Sequence, residues 1–373
     1  MLSLHQRVAS ALVVAMASLV GAGFSGCAQK SKVPDYVPFP DLSQAGLRKV
    51  WERQIALTSN EKINHAWRVG DSIYLTTDQA RVVRIEAQSG VKAWDTVVGS
   101  AASDFHKPTE LNGGKEVLLT DRGNFFVLNK LTGRMMVTKS IGFLASTSPV
   151  VIGYIECVGG NDYFHGIFLD QLGGQRWSTV EARDSFVSDP ATISGTLLLA
   201  SRNGKLWRVN AEDGNWVWKD RKTNGEVTAG LATDQHAVFV PSLDHYLYAF
   251  DVNTGSELWN PRLEGELDQK PIVTKVAGSE LLVPASGKGL YSISPADGTI
   301  RWEADGVSQV ASVFGDFVWA GDSSGNLRAM RADNGEIVSS TPIAGAQDFI
   351  YSTDQWVIVL NKSGVLDGFV PNR

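Results

Sequence analysis

A glycine followed four residues later by a tryptophan recurs along the chain at a nearly constant interval. The clearest copy is VNAEDGNWVWKD, which contains Gly214 and Trp218. Four further copies carry the pairs Gly90 and Trp94, Gly173 and Trp177, Gly255 and Trp259, and Gly298 and Trp302. Two degenerate copies keep Gly133 and Gly335 but have Val137 and Ser339 at the tryptophan position. Successive glycines are 37 to 43 residues apart, a period that predicts repeated structural units.

Each unit carries signals for four antiparallel strands. A second turn lies ten residues before the glycine, as at Gly204 in SRNGK, and about five alternating residues such as KLWRV separate the two turns. Such alternation between turn residues indicates a β-hairpin. An apolar run such as TLLLAS comes before the first turn, and a short strand near DPATI comes before that run. Four-stranded units of about 41 residues are typical of β-propeller blades, so the predicted fold class is all-β.

The two ends of the chain predict the number of blades. The stretch GVLDGFV near the C-terminus resembles the third strand of a unit, but no glycine and tryptophan phrase follows it. Residues 47–57, LRKVWERQIAL, form a strand of that phrase around Trp51 with no unit before it. We therefore expect residues 47–373 to form an eight-bladed β-propeller of four-stranded antiparallel blades, closed by the N-terminal strand. Seven blades is the alternative, because the second and third units are the least regular.

The glycine and the tryptophan have separate expected roles within a blade. Glycine adopts a positive φ at the last hairpin turn at little steric cost. The tryptophan lies on the outer strand, where its flat indole can fill the space between neighbouring blades. A structural role is expected for every tryptophan of the phrase.

The N-terminus has the features of a lipoprotein signal. Arg7 precedes an apolar run over residues 8–24, and Cys27 follows Ser25 and Gly26. Residues 1–26 are therefore predicted to be a signal peptide, and Cys27 resembles the acylated cysteine of a bacterial lipobox. A membrane-spanning anchor and an ordinary secretion signal are the alternatives, although 17 residues are short for a span. Residues 27–46 contain three prolines and are predicted to form a tether.

Composition and motifs argue against nucleic-acid binding and catalysis. The net charge is -6 with both signs interspersed, whereas nucleic-acid binding normally needs a clustered basic surface. The motif GDSSG places Ser323 on a predicted hairpin turn, whereas a nucleophile elbow joins a strand to a helix. The six histidines lack the spacing of metal ligands, and Cys157 lies in an apolar stretch that predicts burial. No catalytic residue, cofactor or metal ion is expected.

The blade phrase, with Asp or Thr before the glycine, resembles the PQQ-type β-propeller repeat over nearly the whole mature chain. The lipobox, short tether, eight blades and N-terminal closing strand are together similar to the BamB-type lipoproteins of the outer-membrane β-barrel assembly machinery. This resemblance implies a non-catalytic periplasmic scaffold anchored to the outer membrane through Cys27. It also implies binding to the central barrel protein and other assembly-complex subunits, and help with the insertion of unfolded outer-membrane proteins.

In the resembled family, the contact with the barrel protein lies on loops that join neighbouring blades near the middle of the chain. By repeat register, these loops are residues 180–190 and 219–230. Arg183, Phe186 and Val187 are therefore predicted to bind the partner, with the apolar pair as an anchor inside a charged rim. The alternative is that Phe186 packs under its own blade.

Two other classes of function remain open. One is a propeller that binds a small ligand or a polysaccharide in its central channel. The other is a PQQ-dependent dehydrogenase, which is less favoured. These enzymes are larger, typically carry an adjacent cysteine pair and bind calcium, whereas Cys27 and Cys157 are far apart in this sequence.

Overall fold

The computed structural model describes residues 46–372 except 102, 169–174, 179–183, 279 and 344. Over these residues the chain forms strands and turns, arranged in eight four-stranded antiparallel sheets. No helix in this part of the chain is long and apolar enough to cross a membrane. The predicted signal peptide, Cys27 and all of the tether except Gly46 lie outside the described residues.

The strands follow the chain blade by blade. The first strand is β1 (Leu47–Gln54). Blade 1 contains β2 (Ile63–Val69), β3 (Ser72–Thr77), β4 (Arg81–Glu86) and β5 (Lys92–Val97). Blade 2 contains β6 (Thr109–Leu111), β7 (Glu116–Thr120), β8 (Asn124–Asn129) and β9 (Met135–Ser140). Blade 3 contains β10 (Val150–Ile152), β11 (Ile155–Gly159), β12 (Phe164–Phe168) and β13 (Gln175–Ser178). Blade 4 contains β14 (Ala191–Ile193), β15 (Thr196–Ala200), β16 (Lys205–Asn210) and β17 (Trp216–Lys222).

The second half of the chain repeats this pattern. Blade 5 contains β18 (Ala232–Thr233), β19 (Ala237–Pro241), β20 (Leu247–Asp251) and β21 (Glu257–Trp259). Blade 6 contains β22 (Ile272–Val273), β23 (Leu281–Ala285), β24 (Gly289–Ile293) and β25 (Ile300–Asp305). Blade 7 contains β26 (Val307–Phe314), β27 (Phe317–Asp322), β28 (Asn326–Arg331) and β29 (Ile337–Pro342). Blade 8 contains β30 (Ala346–Ile350), β31 (Val357–Asn361) and β32 (Val365–Pro371), with β1 as its fourth strand.

Blade 8 joins the two ends of the chain. β1 pairs antiparallel with β32, from Leu47 opposite Pro371 to Gln54 opposite Val365. The eight-bladed propeller and its closure by the N-terminal strand are therefore confirmed, although the predicted strand over 47–57 ends at Gln54. Asp367 of β32 is buried beside Lys49 of β1, with 3.5 Å between its Oδ1 and Lys49 Nζ. Burial raises the pKa of Asp367 to about 6.

Each described tryptophan of the blade phrase lies against the hairpin glycine of the next blade. Trp218 is 7% exposed, and its indole N–H donates a hydrogen bond of 2.7 Å to the carbonyl of Val252. A Cβ built at Gly255 would lie 2.8 Å from a ring carbon of Trp218. The same stacking joins Trp51 to Gly90, Trp94 to Gly133, Trp177 to Gly214, Trp259 to Gly298 and Trp302 to Gly335. In each case the indole N–H donates to the carbonyl three residues before that glycine: Ala87, Lys130, Ala211, Pro295 and Ala332. Gly173 lies outside the described residues.

The glycine is therefore required for two physical reasons, and only the first was expected from the sequence. Gly255 has φ of +68°, a conformation that residues with a Cβ rarely adopt. In addition, a Cβ at this position would overlap the indole of the preceding blade. Gly195 offers a comparison, because its φ is +73° but nothing lies within 4 Å of a built Cβ.

These two glycines separate the cost of backbone strain from the cost of lost stacking. Gly195→Ala should lower the free energy of unfolding by about 1–2 kcal/mol, the cost of a left-handed conformation. Gly255→Ala should lose about 1–3 kcal/mol more, because the methyl group displaces the Trp218 indole. Denaturant unfolding of both variants measures the difference. Equal losses would mean that the stacked indole adds no constraint at Gly255.

Blade 3 contains a fully buried carboxyl group. Glu156 of β11 accepts a hydrogen bond of 2.8 Å from the Thr120 hydroxyl of blade 2. Its other oxygen, Oε2, has no hydrogen-bond partner among the described residues. Burial raises the pKa of Glu156 to about 7, and the Thr120 hydrogen bond opposes this shift. The native state therefore favours the protonated side chain.

This burial makes the stability of the protein depend on pH. Glu156 keeps its proton in the native state between its ordinary pKa of 4.5 and about 7, whereas the unfolded chain releases it. The protonated carboxyl group of Glu156 therefore contributes its full stabilisation below pH 4.5. This contribution falls by about 3 kcal/mol as the pH rises from 4.5 to about 7. Glu156→Gln keeps the oxygen that accepts from Thr120 and removes the titration. The variant should match the wild type near pH 5 and melt at a higher temperature near pH 8. Melting curves that stay parallel from pH 5 to 8 would contradict this assignment.

Candidate functional site

One candidate surface lies where the connections between blades 3, 4 and 5 meet. We define the loop surface as residues 184–190, Arg202 and residues 223–230. The Arg202 N–H donates to the carbonyl of Ser185 at 2.9 Å, and the Val227 N–H donates to the carbonyl of Arg202 at 2.9 Å. The turn between β15 and β16 thus ties the two predicted loops into one continuous surface.

The structure corrects the prediction that Phe186 is an exposed anchor for a partner. Phe186 is 1% exposed, and its ring centroid lies 5.5 Å from that of Phe164 and 5.6 Å from that of Trp207. The alternative reading, that Phe186 packs under its blade, is the one observed. A large apolar ring is more stable between blades 3 and 4 than in water. Val187 is half-buried, and Arg183 lies outside the described residues.

The side chains that the loop surface does expose are mainly charged. Arg202 and Glu226 form an ion pair of 3.1 Å, with 53% and 51% of their side chains exposed. The apolar residue beside them, Val227, is fully buried. A surface of this kind contributes to the rate and specificity of association through charge, rather than through a buried aromatic anchor.

A second candidate site is the wall of the central channel. First strands of neighbouring blades contact one another at the boundaries of blades 2 and 3, 4 and 5, 5 and 6, 7 and 8, and 8 and 1, which places them around the axis. One residue from each blade follows this wall at intervals close to the blade period: His65, Lys107, Ser148, Asp189, Gly230, Lys270, Gln309 and Asp348. Two lysines and two aspartates therefore alternate on the even-numbered blades. The odd-numbered blades contribute uncharged polar residues, a histidine and a glycine.

Neighbours on this wall are coupled by hydrogen bonds and charge. Asp189 accepts a hydrogen bond of 2.6 Å from the Ser148 N–H, and the Gln309 amide donates to Asp348. Loss of solvation inside the channel lowers the pKa of Lys270, while the charge of Asp189 opposes that shift. Burial raises the pKa of Asp348.

A cavity of about 480 Å³ lies beside blades 1 to 3, on the side of the propeller that carries the loop surface. Its lining includes the indole of Trp67, the imidazole of His106, and the cations Lys107 and Arg122. His106 Nε2 is buried without a hydrogen-bond partner among the described residues, and burial lowers the pKa of His106. Neither cation has an ion-pair partner within 4 Å in the described part of the chain. Asp104 also lines the cavity and lies 3.0 Å from His65. The two cations still leave an excess of positive charge next to an aromatic face, which suits a small anionic ligand.

The structure also places the two nucleophilic side chains considered from the sequence, Ser323 and Cys157. Ser323 lies on the turn between β27 and β28, where the Asp322 carboxylate accepts from the Ser324 and Asn326 N–H groups. Cys157 is fully buried, and burial raises the pKa of its thiol. No group of three or more His, Cys, Asp or Glu residues that could hold a metal ion occurs within the described ranges.

Fold and repeat together define the class of this protein as an eight-bladed β-propeller built from PQQ-like repeats. A family model described as outer membrane protein assembly factor BamB matches residues 202–350. Outer membrane protein assembly factor BamB from Burkholderia pseudomallei is 23% identical over 403 aligned positions, covering 99% of this chain and 100% of that protein. The resemblance to BamB-type proteins that the blade phrase predicts is confirmed.

Solved structures support the fold. The crystal structure of BamB from Moraxella catarrhalis has a TM-score of 0.67 and 15% identity, covering 87% of this chain and 99% of that one. A quinohemoprotein alcohol dehydrogenase from Pseudomonas putida HK5 has a TM-score of 0.63 and 12% identity, covering 88% of this chain and 76% of the enzyme. At these identities the likeness concerns the fold alone, because one propeller scaffold carries several functions.

Proposed function

We propose that the protein is a non-catalytic scaffold lipoprotein of the outer-membrane β-barrel assembly machinery. It acts at the periplasmic face of the outer membrane, binds the central barrel protein and assists the insertion of outer-membrane proteins. The observation that carries this proposal is the similarity to an outer membrane protein assembly factor over 99% of the chain. The closed ring of eight blades provides the rigid frame that a scaffold requires.

The outer strands of the blades support a role with unfolded barrel proteins. Each blade ends in an outer strand that pairs on one side only. Five of these strands expose an apolar side chain one residue before the tryptophan position of the blade phrase. These side chains are Val50, Met136, Val217, Leu258 and Val338. An extended peptide can add to such an edge through backbone hydrogen bonds. Strands of outer-membrane barrels alternate apolar and polar residues, and so can cover these side chains when they pair.

The loop surface is the proposed contact with the central barrel protein, now without Phe186 as its anchor. The tagged protein should co-purify with the barrel protein from detergent-solubilised outer membranes. Arg202→Glu places two acidic side chains together at the centre of the loop surface and should reduce this capture by about tenfold or more. Stability should change little, because exposed ion pairs contribute about 0–1 kcal/mol.

Arg331→Glu is the matched control. Arg331 also pairs with a glutamate, Glu336, and both side chains are exposed. It belongs to blade 7, at the end of β28 remote in the chain from the loop surface. Capture should remain at the wild-type level in this variant. If the wild type captures no barrel protein, the proposed function is wrong; if both charge reversals reduce capture equally, the loop surface is not the contact.

Attachment to the membrane is proposed to depend on Cys27. Each buried CH₂ group of an acyl chain contributes about 0.8 kcal/mol, so several chains give stable attachment. Cys27→Ala should therefore move the protein from the membrane fraction to the soluble periplasmic fraction. Cys157→Ala is the control, because that thiol is buried in blade 3 and should leave the distribution unchanged. A Cys27→Ala protein that stays in the membrane fraction would favour an uncleaved anchor.

Binding of a small anionic ligand is the second candidate function. The observation that favours it is the cavity beside blades 1 to 3, where His106 Nε2 is buried without a partner among the described residues and Lys107 and Arg122 lack paired carboxylates there. The cavity lining and the loop surface share no residue, although the Ser148 N–H of the lining donates to Asp189 of the loop surface.

A further inference from the structure

The outer strands of the eight blades differ in how far charge protects their free edges. Seven of them contain at least one lysine, arginine, aspartate or glutamate: β1, β5, β9, β13, β17, β21 and β25. The outer strand of blade 7, β29, has the sequence IVSSTP and contains none. Charged side chains on an edge strand oppose pairing with another chain. By this criterion β29 is the outer strand most open to the addition of a further strand.

The backbone of β29 is available for such pairing. The strand pairs only with β28, from Asn326 opposite Pro342 to Met330 opposite Ile337. Ile337 and Val338 are 42% and 45% exposed. Pro342, which lacks an N–H, is the last residue of the strand and does not interrupt the edge. An extended chain can therefore lie along residues 337–341.

A cavity of about 380 Å³ lies beside this edge, at the boundary between blades 7 and 8. Its lining includes Phe317, Trp319, Ala329, Val338 and Ser339. Ser339 pairs with Ala329 in the place where Trp218 pairs with Arg208 in blade 4. The cavity thus occupies the position that a tryptophan of the blade phrase fills at other boundaries. This position suits an aromatic side chain.

We propose that β29 is the docking edge for an extended strand of an unfolded outer-membrane protein, and that the cavity receives one aromatic side chain of that strand. This inference rests on the proposed function and names the edge and the side chain through which such a chain binds. Backbone hydrogen bonds to β29 hold the added strand. Successive side chains of a strand point to opposite faces, so every second residue of the added strand lies on the face of Ser339.

The chemistry of the edge matches a barrel strand. β29 offers no charge with which an acidic or basic segment could pair. Strands of outer-membrane barrels carry apolar residues at every second position, with aromatic residues near both ends of the apolar band. Such a strand can place a row of apolar side chains along the edge and an aromatic ring in the cavity.

A second copy of this chain would not fill the cavity in the same way. If two β29 strands paired, the side chains next to Ser339 would come from residues 337–342 of the other copy. These residues include no aromatic side chain, and none approaches an indole in size. The cavity therefore favours a different chain over a second copy.

Binding of two defined peptides to the full-length mature protein tests the proposal. The first is a short fluorescent peptide of alternating threonine and valine with one central phenylalanine, and the second has alanine in place of that phenylalanine. The phenylalanine peptide should bind about tenfold more tightly or better, because its ring leaves water for the cavity. Ser339→Trp should remove this preference, because the new indole occupies the cavity. Fluorescence anisotropy measures each affinity.

A charge on the edge provides a second test. Val338→Lys should weaken the binding of both peptides by about tenfold or more, because an edge lysine opposes strand addition. Val217→Lys is the matched control. Val217 is 47% exposed and lies one residue before Trp218, as Val338 lies before Ser339, but the indole already fills that boundary. The control should keep the wild-type affinity for the phenylalanine peptide.

Three results would overturn the proposal. The first is equal affinity of the wild type for the two peptides, and the second is an equal loss of binding in Val338→Lys and Val217→Lys. The third is no binding of either peptide; a dimer that Val338→Lys dissociates in light scattering would then assign the edge to a second copy. Capture of the barrel protein is measured separately, so a failure here is distinguishable from a failure of the proposed function. The comparison of the two peptides needs only the wild type, and it remains informative even if Ser339→Trp fails to fold.

Discussion

The contact of an indole with a glycine across a blade boundary is the interaction on which the rest of the structure depends. A single blade buries its apolar face only against its neighbours, so the ring is stable only if each boundary is well packed. The indole of Trp218 stabilises its boundary in two ways. It packs against Gly255 of the next blade, and its N–H donates a hydrogen bond to the carbonyl of Val252. The repetition of this contact sets the distance between blades and thereby the positions of the loops and the channel wall.

The boundary between blades 7 and 8 shows how the ring closes where this contact does not form. The chain must begin and end at some boundary, and a hairpin that would present a glycine cannot exist there. β1 pairs with β32, and Leu47 of β1 is buried in one apolar cluster with Trp319 and Ala329 of blade 7. Backbone pairing closes the ring, while a cavity of about 380 Å³ remains beside Trp319 and Ser339.

The candidate functional surfaces depend on this frame in different ways. The loop surface and the cavity of blades 1 to 3 lie on one side of the propeller, because both use interblade connections and the turns between second and third strands. The apolar edge positions lie on the outer strands. A protein that binds partners through its loops can therefore leave its strand edges free for extended chains.

The sequence by itself determined the fold class, the number of blades and the closing strand. A period near 41 residues and two incomplete units at the chain ends leave few other arrangements. It did not determine whether Phe186 faces water or the core, since an aromatic residue on a loop between charged residues suits either place. Only the tertiary structure decided this, through Phe164 and Trp207 of adjacent blades. The tertiary structure also decided which side chain packs against each glycine, because the Trp218 ring and Gly255 come into contact only after two blades have packed side by side.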